Sequence, residues 1–536
     1  MKKGVFKNMY KNPCLMVDAY KLGHYFQMPP GVETIYSTWT ARYNKFHNNG
    51  EYKDTVVFGG DGFIKDVLIH WFNKNFFDED INAIEADFKR KVHAIFHPAY
   101  TDFSRFRELW ELGHLPIAIY AVPEGTVLPI NIPDHVIFNT DKRFAWLPQY
   151  LEDIWSCHMW LPTTSATTAY YRRKQIMPFA EKTCDNPNEV ARHMCGDFSM
   201  RGMENEDAAY VSTAGHLLSF DRTATVEGNA YLEQFYGADI ENNPPGLGVP
   251  SLEHSVVCQN VAYYKEVIAN GDLPDYMIPY VKEGLKQNWE ANLVAEMCFM
   301  LRLLTEVQPE GVLTYVSDTY DYFGVLTKIL PVIKDVILER KGKLSIRPDS
   351  GNPYKIVCGD HYAEADTPEY KGSIKILEKI FGTSTNKKGY KVLNPHIGLI
   401  YGDAVTAEIT DSICNWCASN GFSIENLCFG IGAYTYQYVT RDTRGYAIKA
   451  TDAFFNGLGE VPLYKSPKTD SAKKSPKGCV AVFRDDRGII QMVDGLTLTE
   501  SMTYPGQMLE CKMMNGEFMN EQDIYEIRDR LWDGKF

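Results

Sequence analysis

Arg347 and Asp349 stand two residues apart in Ser345-Ile346-Arg347-Pro348-Asp349-Ser350-Gly351-Asn352-Pro353, a cation and an anion held where a short strand gives way to a dense run of turn formers. In α/β proteins ligands bind at the carboxyl ends of strands. Two further apolar segments end alike: Leu399-Ile400-Tyr401 runs into Gly402-Asp403, and Leu427-Cys428-Phe429 runs into Gly430-Ile431-Gly432-Ala433. Backbone amides at such turns can approach phosphate oxygens because no Cβ intervenes. The carboxylates repel phosphate unless they hold Mg²⁺ or a ribose hydroxyl. Three such turns in succession point to an anionic sugar phosphate. The competing reading is a set of surface turns whose charges pair with each other or with water.

Cations for such a ligand are available at Arg201, Arg441, Lys449 and Lys473, each of which also fits a solvated surface charge. Phe198 suits either the core or a platform for a flat ring. His254, beside Glu253, suits either a structural histidine or a chemically active imidazole.

The elements that must position these residues follow from the hydrophobic pattern. Val32–Arg42 alternates as a strand with one wet face, and Leu115–Pro129 suggests short antiparallel strands punctuated by Pro and Gly. After residue 190, strand-like segments (Val312–Val316, Leu344–Ile346, Ile397–Ile400, Leu427–Phe429) alternate with helical runs such as Asp321–Leu330 and Ile374–Phe381. That alternation predicts parallel strands with crossover helices, in an open doubly wound sheet or a barrel. Residues 255–310 form a helical tract, and Ser466–Gly478 reads as a flexible basic loop.

Composition narrows the function classes. Fifty-five Lys and Arg against 69 Asp and Glu leave a net charge of −14, which disfavours nucleic-acid binding. No run of about 18 apolar residues suggests a membrane span, and Met1–Asn8 does not resemble a secretory signal, so a cytoplasmic location is expected. Twelve scattered cysteines suit reduced thiols, and the Cys414/Cys417 pair reads as buried on a helix rather than as a redox or zinc site.

Ordered along nearly the whole chain, the landmarks Asp18-Ala19-Tyr20-Lys21, Ala121-Val122-Pro123-Glu124-Gly125, Asp197-Phe198 with Arg201-Gly202, Glu253-His254-Ser255, Val316–Asp321, Ile346–Pro353, Gly402-Asp403, Thr440-Arg441-Asp442 and Asn456–Gly459 resemble the nicotinamide phosphoribosyltransferases, type II phosphoribosyltransferases of NAD salvage. The resemblance implies an irregular α/β barrel plus a mixed α+β domain built from both chain ends. Residues 1–180 would form the N-terminal domain. Residues 181–435 would form the barrel, with a helical insertion at 260–310. Residues 436–536, with the basic loop 466–478, would pack with the N-terminal domain. It also implies a homodimer with shared active sites, and a pentosyltransferase that converts nicotinamide and phosphoribosyl pyrophosphate to nicotinamide mononucleotide and pyrophosphate.

By the same resemblance Phe198 and Tyr20 of the partner subunit sandwich the pyridine, with Asp18 also at the substrate, and Arg347 contacts the carboxamide. Asp349, Gly402, Asp403, Gly432 and Ala433 lie along the ribose and its phosphate. Arg201, with Arg441, Lys449 and Lys473, holds phosphate and pyrophosphate oxygens. His254 is the histidine phosphorylated from ATP; Asp318 and Asp349 complete the catalytic set, and Asp349 is the expected Mg²⁺ ligand.

Two positions depart from the family pattern. Ala224 stands where the family places an aspartate that accepts from the amide and repels a carboxylate, which leaves nicotinate open as a base; Asp221, three residues away, is a possible substitute. Ala433 replaces the second glycine of the glycine-rich turn. ADP-ribose pyrophosphate as donor, and a non-catalytic nucleotide sensor, are the remaining alternatives.

Overall fold

The computed structural model describes residues 11–44, 52–403, 405–469 and 474–533. Two units divide the chain: Met1–Thr167, Gly228–Pro245 and Val439–Phe536 in one, Thr168–Glu227 and Gly246–Tyr438 in the other.

The first unit is built on an antiparallel sheet of seven strands in the order Gly459–Pro462, Ala447–Phe455, Val32–Thr40, Pro133–Asn139, Ile117–Ala121, Glu510–Met514, Glu517–Phe518. Both chain ends enter it. Val32–Thr40 pairs with Ala447–Phe455, and Ile117–Ala121 pairs with Glu510–Met514. Helices cover it through a core that includes Trp39, Trp155, Phe88 and Phe106. The strands expected within Leu115–Pro129 do not pair with each other. Ile117–Ala121 joins the large sheet, whereas Val127–Pro129 pairs with Asp54–Val56. The cause is the turn between them, where Gly125 takes φ of 84° and its missing Cβ leaves room for the Ile527 carbonyl, which would lie only 2.3 Å away.

The second unit is a parallel barrel. Six strands run in the order Arg222–Thr223, Cys195–Asp197, Leu427–Ile431, Ile397–Tyr401, Leu344–Arg347, Leu313–Val316, every neighbouring pair parallel. The extended segment from Leu247 to Ser251 joins the two edges: Leu247 bridges Arg222 and Ser251 bridges Thr314, both in parallel. The sheet therefore closes on itself, the barrel alternative of the two that strand–helix alternation allowed. The tract after the closing segment forms helices His254–Asn270, Ile278–Lys286 and Ala291–Arg302 before the chain re-enters at Leu313–Val316.

Alternation along the strands explains the interior. On Leu344–Arg347, Leu344 and Ile346 are buried while Ser345 and Arg347 are partly open. Ser345 pairs with Thr314 in register, Ile400 with Cys428, and Gly196 with Arg222, and all of these line one cavity of about 680 Å³. Inward positions that carry Gly, Ser, Thr and Cys cannot fill a barrel, so a hollow remains. Leu399, Tyr401, Phe429 and Ile431 are buried in the surrounding packing. Outside, amphipathic helices such as Ser373–Phe381 bury Ile374, Ile376, Leu377 and Phe381. Helix Ala407–Ser419 buries Cys414 and Cys417, as its sequence predicts. Among the described residues no helix is long and apolar enough to cross a membrane.

Candidate active site

The carboxyl ends of the barrel strands bring together residues far apart in sequence. Arg347 ends its strand, and its guanidinium donates from Nη1 to Ser251 Oγ at 2.7 Å and from Nη2 to the Leu252 carbonyl at 2.8 Å. The same Nη2 lies 3.0 Å from Asp349 Oδ2. The cation and anion singled out by their spacing do pair, but the arginine is also clamped to the barrel-closing segment, which a free surface turn would not be.

Asp318, at the end of Leu313–Val316, is the anchor of this loop. Its Oδ2 accepts from the Asp349 amide at 2.9 Å and from Ser350 Oγ at 2.5 Å. Tyr401 OH reaches the carbonyls of Ser350 and Gly351 from the neighbouring strand. His254, the first residue of its helix, points Nδ1 at Thr319 Oγ1 (3.0 Å) and Nε2 at Asp318 Oδ1 (3.8 Å) and Asp349 Oδ2 (4.0 Å). Asp318 is almost enclosed, with 4% of its side chain exposed, against 27% for Asp349 and 45% for His254. The imidazole thus presents one face to solvent and one nitrogen to two carboxylates, an arrangement able to exchange charge with a ligand. Burial pushes the Asp349 carboxyl above its ordinary range; Arg347 opposes the shift and the adjacent Asp318 adds to it. Oδ1 of Asp318 and Oδ1 of Asp349 are buried without a hydrogen-bond partner. Two hard oxygen donors fit a Mg²⁺ that keeps most of its waters and takes the rest of its ligands from a phosphate. No cluster of three or more His, Cys, Asp or Glu suited to a metal occurs among the described residues, so no all-protein cage exists here.

Phe198 follows strand Cys195–Asp197 and is half-buried at the cavity, with its amide bonded to the Ile431 carbonyl at 2.8 Å. The turn that carries it is fixed by Asp197, fully buried, which accepts from the Ser199 amide and from the hydroxyls of Thr213, Thr223 and Thr225. Next to it, the absent Cβ of Gly202 would stand 2.5 Å from the Ala433 methyl, so the loop carrying Arg201 packs directly on the turn Gly432-Ala433. The added methyl of Ala433 is accommodated against the bare Cα of Gly202. Arg201 itself is exposed.

A model of the nicotinate phosphoribosyltransferase (NAPRTase) family matches residues 193–501, which takes in every barrel strand just described. The chain belongs to this family. Nicotinamide phosphoribosyltransferase of Acinetobacter baylyi is 36% identical over 532 residues, 97% of each chain, and that of Mycoplasma pneumoniae is 30% identical over 490 residues, 88% of this chain and 96% of the relative. Among solved structures, nicotinate-nucleotide pyrophosphorylase from Pyrococcus furiosus shares the fold at a TM-score of 0.52 and 13% identity, covering 99% of this chain and 98% of its own. Human nicotinic acid phosphoribosyltransferase does so at 0.50 and 13%, covering 96% and 93%. Membership makes the chain a pentosyltransferase, and its fold that of the type II phosphoribosyltransferases.

In this member of the NAPRTase family the expected site residues Asp18, Tyr20, Arg441 and Lys449 lie in the sheet unit. Tyr20 is 55% exposed, with its ring 5.4 Å from that of His24, and the Asp18 amide is tied to Asp153. Lys449 reaches Glu152 Oε1 at 3.5 Å and lines a cleft of about 450 Å³ with Arg42 and Lys474. Arg441 contacts Asp442 at 3.1 Å. Lys473 lies outside the described residues. Asp403 and Gly432 sit at their strand ends in the barrel unit. Asp221 does not line the cavity. It is held by His193 Nδ1 at 2.7 Å, so it is engaged elsewhere and does not stand in for a carboxylate at Ala224.

The sequence left three site residues unmarked. Ser251 and Thr319 are one-atom supports whose role exists only after folding. Arg222 lines the cavity with Phe198 and Ala224, and the period-two pairing of its strand could have flagged it.

Proposed function

We propose that this chain transfers the phosphoribosyl group of phosphoribosyl pyrophosphate to nicotinamide, giving nicotinamide mononucleotide and pyrophosphate in NAD salvage. The observation that carries this reading is near full-length similarity to a relative named for the amide substrate, at 36% identity. The barrel-end cluster of Phe198, Arg347, Asp349, Asp318 and His254 supports it.

The pyridine nitrogen attacks the anomeric carbon, the C–O bond to pyrophosphate breaks, and the bonding pair leaves with pyrophosphate. No side-chain nucleophile is needed. The work falls to orientation and to charge. Phe198 offers a face on which the ring stacks, and Arg347, already rigid against Ser251 and Leu252, offers donors to the carboxamide oxygen. Asp349 and Asp403 face the ribose, where positive character builds in the transition state. Mg²⁺, held through Asp349 and phosphate oxygens, would stabilise the leaving group when bound. Arg201 meets the phosphate.

The reading extends to a homodimer in which Tyr20 of the partner subunit covers the second face of the ring, with Arg441, Lys449 and Lys473 reaching pyrophosphate from that subunit. It also includes phosphorylation of His254 by ATP, which its solvent-facing imidazole between two carboxylates would accept. The test is a product screen pairing two bases, nicotinamide and nicotinate, with two donors, phosphoribosyl pyrophosphate and ADP-ribose pyrophosphate. Nicotinamide mononucleotide from the first of each is expected. Tight nucleotide binding by calorimetry without product in any arm would favour a sensor and end the proposal.

A further inference from the structure

Tyr401 ends its strand. Ile400 before it lines the barrel cavity, so Tyr401 points the other way, into the packing between strands and helices, where only 1% of it is exposed. The ladder joining Ile397–Tyr401 to Leu344–Arg347 stops earlier, at Leu399 opposite Ile346. Beyond that pair the loop after Arg347 has left the ladder, and other groups tie it to the neighbouring strand. The Tyr401 hydroxyl donates to the carbonyls of Ser350 at 2.8 Å and Gly351 at 3.1 Å, and the Gly402 amide reaches the Pro348 carbonyl at 3.4 Å. Gly351 turns the chain there with φ of 89°. On its other side the same loop supplies donors: the Asp349 amide and the Ser350 hydroxyl both go to Asp318 Oδ2. An anion on one flank and a hydroxyl on the other thus grip the segment that carries Asp349.

Small displacements of this loop matter because two missing side chains leave no slack around it. A Cβ on Gly402 would meet Asp349 Oδ1, and one on Gly430 would lie 2.9 Å from the Gly402 Cα and 3.4 Å from the Phe198 ring. Carboxylate, Gly402, Gly430 and ring therefore stand in one close-packed file. Burial pushes the Tyr401 hydroxyl upward, and the carboxylates of Asp403, Asp318 and Asp349 push it the same way, so it keeps its proton and remains a donor. We propose that Tyr401 is a positioning residue for the transfer, its hydroxyl setting the distance between the Asp349 carboxylate and the Phe198 ring and so the alignment of sugar with base. The proposal rests on the phosphoribosyl-transfer reading given above. Facing away from the cavity, Tyr401 takes no part in bond making.

The test compares wild type with Tyr401→Phe, Ser350→Ala and the double variant. Tyr315→Phe is the control, since its hydroxyl is equally buried but serves Glu296. Each is followed by kcat, KM for nicotinamide, thermal melting and amide hydrogen exchange at Asp349. Tyr401→Phe should lower kcat by about tenfold, because a partial displacement already misaligns reacting atoms. KM for nicotinamide should stay unchanged, since Arg347 keeps its own supports on Ser251 and Leu252. Exchange at the Asp349 amide should quicken. Tyr315→Phe should melt lower as well but keep its kcat and its exchange rate. Two groups that hold one loop are coupled, so the kcat losses of Tyr401→Phe and Ser350→Ala should not simply multiply in the double variant. If Tyr401→Phe does not fold, Gly351→Ala, which turns the accepting carbonyls away from the hydroxyl, must show the same loss of kcat. Unchanged kcat in the folded variant, a loss that Tyr315→Phe matches, or strictly multiplicative losses would overturn the role of Tyr401 alone. No mononucleotide from wild type would overturn the transfer reading and this inference together.

Discussion

A Cβ added to Gly402 would stand 2.4 Å from Oδ1 of Asp349. Two neighbouring strand ends thus fit only because one of them carries no side chain, and the carboxylate occupies the space that results. Gly402→Ala should push Asp349 off its position. A displacement of about 1 Å at a reacting centre costs on the order of 100-fold, so kcat should fall steeply while the thermal midpoint moves little. Steady-state kinetics beside a melting curve checks this.

Arg347 is held by two donations to the closing segment, from Nη1 to Ser251 Oγ and from Nη2 to the Leu252 carbonyl. Arg347→Ala should raise KM for the base strongly. Ser251→Ala removes one support, a loss of about 1 kcal/mol or roughly fivefold, and should raise KM for the base without changing that for the sugar donor. Separate titrations of the two substrates distinguish these outcomes.

His254 is oriented by Thr319, so ATP coupling should depend on both. Stimulation by ATP should vanish in His254→Ala and be weakened in Thr319→Val. Mass spectrometry should find an acid-labile phosphate on wild type that is absent from His254→Ala. Undiminished stimulation in His254→Ala would remove the histidine from the account.

Glu296 is wholly buried, accepts from Tyr315 OH at 3.0 Å, and leaves Oε2 unpartnered. Burial pushes its carboxyl up to about 7 from an ordinary 4.5, with smaller contributions from Asp321 and Asp318. The folded state therefore holds a proton that the unfolded chain releases. Between those two values the native state binds more protons, and stability falls as pH rises, by at most about 1.4 kcal/mol per pH unit. Glu296→Gln has no proton to lose and should flatten this part of the profile, gaining on wild type toward pH 8. Parallel melting curves from pH 5 to 8 that keep a constant gap would contradict it.

Four of the barrel's six strands were legible because each is a short apolar run bounded by turn formers, and Arg347, Asp349, Gly402 and Asp403 were legible because they sit at those boundaries; Cys195–Asp197 and Arg222–Thr223 are not apolar runs and went unmarked. Closure was not legible: Leu247–Ser251 has no strand pattern and earns its place by bridging Arg222 and Thr314, residues on two different strands. For the same reason Ser251 and Thr319 went unmarked. Asp221 shows the converse limit. Its position near Ala224 in sequence suggested a substitute carboxylate, and only the fold reveals that His193 has taken it. Hydrophobic period reports which face a residue lies on, but it carries no information about which partner waits there.

The most direct test is formation of nicotinamide mononucleotide and pyrophosphate from nicotinamide, phosphoribosyl pyrophosphate and Mg²⁺, followed in wild type and Asp349→Asn. Because burial and the neighbouring Asp318 push the Asp349 carboxyl upward and so disfavour its charge, the asparagine variant should melt no lower at pH 7. Its turnover should nevertheless fall by about 100-fold or more if that charge faces the developing cation. Equimolar products from wild type with this loss in the variant is the expected result. No mononucleotide from wild type, or equal turnover from a folded Asp349→Asn, would contradict the account.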